Sequence, residues 1–165
     1  MNSIEQLHYE LPVDLSAERQ ILGILIKHPT QVDRVVDRLR PAHFLDPAHR
    51  RIYEIILDIY NKQGRISYTQ VYNRLRTDSI TDAPAELLIP LTESFVALSE
   101  LEPSMETLLH KEGVRRIVQA CDAIKALALD PKNEDLDEVQ ARAQEMMFAA
   151  SQSIDAAGDE VKNLL

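Results

Sequence analysis

Apolar residues recur along this chain at helical spacing almost from end to end, and the breaks between the runs fall at proline, glycine and short polar stretches. Ile21, Leu22 and Leu25 share one face of a first helix, with Ser16 placed to cap its start and His28-Pro29 to end it, because the residue before proline avoids the helical region. Val32, Val35, Val36 and Leu39 continue the i, i+3, i+4, i+7 rule up to Pro41, and Thr30 with Asp33 resembles a capping arrangement for this second helix. Asp46-Pro47 joins an N-cap residue to a proline at the first helical position, after which Ile52, Ile56, Ile59 and Tyr60 form a stripe that stops at Gly64. Ser67 with Gln70 forms a further capping box before Val71 and Leu75. Thr77 to Pro84 is a polar connector, and Pro84 opens a helix that buries Leu87, Leu88 and Leu91, bent or shortened by Pro90.

The last third has a different character. Glu102-Pro103 to Leu129 leaves room for about seven helical turns, Asp130-Pro131-Lys132-Asn133 interrupts them, and a second long helix runs from about Asp135 to Ser151. The two read as a helical hairpin. Ile154 to Leu165 reads as a tether. The expected fold is therefore all-α: a flexible arm at 1–14, a compact multi-helix head at 15–98, a hairpin at 101–151 and the start of a linker at 152–165.

Composition narrows the function. The 165 residues are 45% hydrophobic and 27% charged with only 5% aromatics, the balance of an ordinary globular helical protein. No apolar run reaches the roughly 18 residues of a spanning helix, and the polar, acidic start lacks the basic and apolar regions of a signal peptide. The chain reads as cytoplasmic, without a membrane partner. A net charge of −9 gains no counterion-release energy on nucleic acid, so strong direct binding to DNA is not expected of the chain as a whole. Nine acidic and three basic residues lie between Asp130 and Leu165, which concentrates the negative charge on the second hairpin helix and the C-terminal tether.

Catalytic patterns are missing. The four glycines stand alone at 23, 64, 113 and 158, so no phosphate-cradling loop can form from them, and a single cysteine builds neither a disulfide nor a redox pair. His43 and His49 flank Asp46 at a spacing that fits neither a helical pair nor a zinc finger, and are expected to pack or face solvent rather than bind metal. Asp33 and Asp37, interleaved with Arg34 and Arg38, read as a solvated charged face. Lys111, Arg115 and Arg116 are expected to pair with Glu106 and Glu112 rather than with phosphate. Cys121 falls on the stripe with Val114, Ile117 and Val118 and reads as a buried structural thiol. The residues left for function are apolar: Leu108, Ile117, Cys121 and Ile124 on the first hairpin helix and Leu136, Val139, Ala143, Met146 and Met147 on the second form a candidate self-association or partner surface, since two helices cannot bury all their apolar faces between themselves. Phe148 extends the methionine pair into a cluster suited to adaptable contacts.

Two segments carry a family resemblance. Pro12-Val-Asp-Leu-Ser-Ala-Glu-Arg-Gln-Ile-Leu-Gly23 and Phe44-Leu-Asp-Pro-Ala-His49-Arg-Arg-Ile52 are similar to the opening and to the Phe and Ala-His signature of the N-terminal domain of bacterial replicative DNA helicases of the DnaB family. Gly64, Ile66 and Val71 keep the downstream spacing, and Val114-Arg-Arg-Ile-Val118 resembles its hairpin. The sequence departs from the pattern at Ile24, at Ser67, in the missing Gly-Gly turn and at Gly113. The resemblance implies a non-catalytic collar domain that assembles as a dimer, or as a trimer of dimers in a hexamer, and docks the C-terminal helical domain of primase, with a helicase loader as a further partner. ATP and magnesium would belong to a motor domain following the linker, of which Gly158 to Leu165 looks like the beginning. The alternative is a stand-alone helical adaptor, such as a helicase loader or regulator.

Overall fold

The computed structural model describes residues 11–78, 80–93, 97–130, 132 and 135–162, with side chains up to residue 152. Among these residues there are seven α-helices and no strand: α1 (Leu15–Lys27), α2 (Val32–Val36), α3 (Pro47–Gln63), α4 (Tyr68–Thr77), α5 (Pro84–Glu93), α6 (Leu101–Leu129) and α7 (Leu136–Lys162), with short 3-10 turns at Pro29–Gln31, Pro41–His43 and Leu98–Glu100. The all-α expectation holds.

The hub of the head is α1. Every residue from Ile21 to Ile26 is buried, where periodicity alone marks one face. A helix apolar on all sides must be enclosed, and α3, α5 and α6 pack around it. Gly23 permits the closest of these approaches: a Cβ built there would stand 2.3 Å from the carbonyl oxygen of Leu91 on α5. Glycine is required by the neighbour's backbone, not by its own dihedral angles.

Capping chemistry explains several helix ends. The carboxylate of Asp46 accepts from the amides of Ala48 (2.8 Å) and His49 (3.0 Å) to start α3, Gly64 ends it in the left-handed region at φ 65°, and the Ser67 hydroxyl accepts from the Gln70 amide to start α4. Three expectations are corrected. α1 is capped by Asp14, whose Oδ1 accepts from Ala17 at 2.9 Å, and Ser16 lies inside the first turn. Thr30 caps nothing: the second apolar period is a 3-10 turn followed by five residues of α2, and Leu39 is buried beyond its end. Helical spacing therefore located the buried residues without a continuous helix to carry them. α7 continues to Lys162, past the expected stop at Ser151, consistent with alanine-rich sequence that contains no proline and only one glycine, a cost of about 1 kcal/mol in a helix.

The hairpin is not separate from the head. Leu101, Met105 and Leu108 at the base of α6 are at most 1% exposed and complete the core built by α1 and α3. Glu102 forms ion pairs with Arg34 and Arg38, and the Ser104 hydroxyl donates to Gln20 Oε1 at 2.6 Å. Farther along, Gly113, Ala120 and Leu127 are buried on the same helix. One continuous helix thus serves two bodies.

Candidate partner surface on the hairpin

The buried polar side chains of the head fasten its elements together. Glu18, fully buried on α1, accepts from the backbone amides of Leu45 (2.7 Å) and Asp46 (3.3 Å), and its Oε2 lies 2.8 Å from His49 Nδ1. A carboxylate can be buried at tolerable cost only when so many donors meet it. Beside it, Phe44 stacks on Tyr53 with ring centroids 4.7 Å apart, and Arg50 donates twice to the Phe44 carbonyl. The Ala-Glu and Phe…Ala-His segments are therefore two halves of one joint between α1 and the start of α3.

A second joint centres on Arg115. Its guanidinium, 5% exposed, donates to the carbonyl of Pro12 (2.8 Å) and to that of His43 (3.0 Å), tying α6 to the stretch of chain before α1 and to the corner before α3. Arg115 is thus a buried bolt, neither a phosphate contact nor a member of a surface ion pair; only Arg116 pairs with Glu112 as expected. His43 accepts through Nδ1 from the Arg40 amide. Burial, with Arg115 next to it, lowers its pKa to about 4. Among the described residues no three potential ligands gather around a metal site, and His43 and His49 serve different joints. Asp33 and Asp37 do not work together either: Asp33 accepts from the Tyr60 hydroxyl, while Arg34 and Arg38 turn to Glu102.

What remains is apolar surface on the hairpin. Val139, Ala143 and Met146 are half-buried and Ala150 is buried, an i, i+4, i+7, i+11 row on α7, which packs against α6. Ile117 and Ile124 on α6 are half-buried. Leu108 belongs to the head core. Leu136 is 76% exposed and Met147 38%. Cys121 is exposed, not buried as its apolar neighbours suggest. Apart from Arg115, the residues of α6 that are buried beyond Leu108 are Gly113, Ala120 and Leu127, a row one position off the Val114–Cys121 stripe, so the thiol falls outside it. Phe148, 64% exposed, and Leu129, 71% exposed, add to the uncovered surface. Periodicity does not mark Leu129, because it sits at the last position of α6, where a stripe ends without a further turn to confirm it.

The geometry defines an all-helical domain whose buried polar groups are structural and whose long hairpin carries apolar residues on the outside. The chain belongs to the DnaB-like helicase N terminal domain family, whose model matches residues 10–109. That match ends one residue after Leu108, where α6 leaves the head core. Within a replicative helicase this domain is the non-catalytic part. The crystal structure of the N-terminal domain of DnaB helicase from Mycobacterium tuberculosis is similar to this chain with a TM-score of 0.75 at 26% identity, covering 85% of this chain and 99% of that one. The replicative DNA helicase DnaB of Mycobacterium leprae is 39% identical over 51 residues, and that of Rhodothermus marinus 26% identical over 134. These matches span 8% and 14% of the two relatives' length, and 31% and 79% of this chain. No helix among the described residues is long and apolar enough to cross a membrane.

Proposed function

We propose that this domain works as an assembly and docking collar of a replicative helicase in the cytoplasm: the hairpin pairs with its twin, the paired domains close into a hexamer as a trimer of dimers, and the assembled collar docks the helical C-terminal domain of primase and, at times, a helicase loader. ATP and magnesium serve a motor domain outside these residues. The observation that carries this reading is the uncovered apolar set of Leu129, Leu136, Met147 and Phe148 on the hairpin; Leu129 (71% exposed), Leu136 (76%) and Phe148 (64%) stand well above the most exposed large apolar residue described in the head, Leu98 at 44%. Exposed apolar patches of this kind mark protein contacts, and a self-complementary face suits a two-fold dimer.

The test is particle mass by light scattering across a concentration series. The unaltered chain should shift toward dimer as concentration rises, and Met147→Glu with Phe148→Glu should hold it as a monomer with unchanged helicity. Met146 is a poorer target, because it is half-buried in the row that α7 packs on α6. A mass indifferent to the double substitution removes the hairpin as the interface. Primase docking is tested by calorimetry with the primase domain, where an affinity of about micromolar is expected for a modest interface. Charge neutralisation at Glu134, Asp135, Asp137 and Glu138 should weaken it and flatten its salt dependence, because exposed charges are screened beyond about 8 Å at physiological ionic strength. No heat at about 100 µM of each partner removes docking from this domain.

A further inference from the structure

On α4, charge and aromatic rings combine in a way that the assembly reading does not use. Tyr68 and Tyr72, one helical turn apart, stack with ring centroids 6.2 Å apart and planes at 25°; Tyr72 is half-buried against the head core and backs Tyr68, which remains 36% exposed and offers the aromatic face to solvent. Arg76 continues the same i, i+4, i+8 row, and Arg65 stands before the helix; both are exposed. The carboxylates of this region are already engaged: Glu54 by Arg51, Asp58 by Lys62 and Arg74, and Asp78 by Arg51 and Arg74. Between Arg50 and Asp78 there are six basic and three acidic residues, a local excess of positive charge in a chain of net charge −9.

We propose that the stacked tyrosines of α4, flanked by Arg65 and Arg76, form a weak binding platform for single-stranded nucleic acid. The chemistry of the face selects this partner. An aromatic face offered to solvent stacks on an unpaired base of any sequence, and two arginines that form no ion pair with a carboxylate among the described residues meet the phosphates on either side of it. The row from Tyr68 to Arg76 spans about 12 Å of helix, enough for a couple of nucleotides. A duplex keeps its base faces stacked inside and would use only the arginines, and an acidic peptide would leave the tyrosines idle. The acidic remainder of the chain keeps the affinity low, so the platform acts where many copies or a tethered strand raise the local concentration. This inference stands on α4 alone and is independent of the hairpin's role.

The experiment is fluorescence anisotropy of a labelled oligothymidylate with the full chain at about 50 mM salt. Saturable binding is expected by about 200 µM protein, with a duplex of the same length bound several-fold more weakly. Tyr68→Ala should weaken single-strand binding about tenfold while Tyr68→Phe leaves it unchanged. Arg65→Glu with Arg76→Glu, both at exposed positions, should abolish it. The milder Arg65→Gln with Arg76→Gln should reduce the log–log salt slope by about 1.4. Helicity and melting temperature of each variant report folding, and the arginine variants carry the test if Tyr68→Ala unfolds. Three results overturn the proposal: no binding under these conditions, binding indifferent to the substitutions, or displacement by polyglutamate as effective as by unlabelled oligothymidylate, which would assign the face to an acidic protein partner.

Discussion

Single residues decide how tightly this head closes. Gly23 lies under the Leu91 carbonyl at a distance no Cβ can occupy, and the obstacle is backbone, which cannot swing aside as a side chain would. Gly23→Ala should therefore destabilise the domain by about 3 kcal/mol through overpacking, read as a lower urea midpoint with unchanged slope, whereas an ordinary helix-interior Gly→Ala change would stabilise it. His43 makes a second residue-scale prediction. Its folded pKa is about 4 against an ordinary 6.5, so the unfolded chain takes up a proton before the folded one does. Between those values the unfolded state binds more protons and stability rises with pH. The contribution is complete above about 6.5 and is lost as pH falls from 6.5 toward 4. Urea midpoints measured across this window should decline for the unaltered chain, and His43→Gln should remove that part of the decline. Glu18 and Arg115 show how a buried charge is made tolerable, each answered by two or more directed partners.

Several elements start where a side chain satisfies the orphan groups of a helix end. Asp46 holds two amides at the start of α3 while its own amide donates to Glu18. Asp46→Ala should cost about 1–2 kcal/mol, visible as a lower melting temperature, with Asp46→Ser recovering most of it. Ser67 and Gly64 work by the same logic, and these three signals are legible from sequence because capping is a local matter. The ends that differ from expectation lack such a signal or offer competing ones. Asp14 and Ser16 both qualify as caps for α1, and only the backbone conformation at Asp14 selects between them. Nothing in the sequence near Ser151 halts α7.

At the scale of the whole molecule, α6 is the joint between a dense head and a thin hairpin. Its base shares the head core, whereas toward Leu129 its described cover comes from α7, and Leu129 and Leu136 face solvent. Hydrogen exchange should track this gradient. Amides of α1 and α3 should exchange only on global unfolding, and those of α6 and α7 near the turn should exchange orders of magnitude faster in the unassociated chain, with protection rising as concentration drives self-association. Uniform protection along α6 would contradict this picture. The sequence by itself determined the all-helical class, the hairpin, many of the buried apolar positions of the head and the family, because these rest on periodicity, capping residues and short motifs that act within a few residues of one another. Only the tertiary structure decided that the stretch of α1 from Ile21 to Ile26 is enclosed on all sides, that Glu18 and Arg115 are bolts, that Leu108 serves the head and that Cys121 is exposed. Each of those depends on which distant element arrives at a side chain and from what angle, a matter on which residues tens of positions away have the deciding say and local spacing has none.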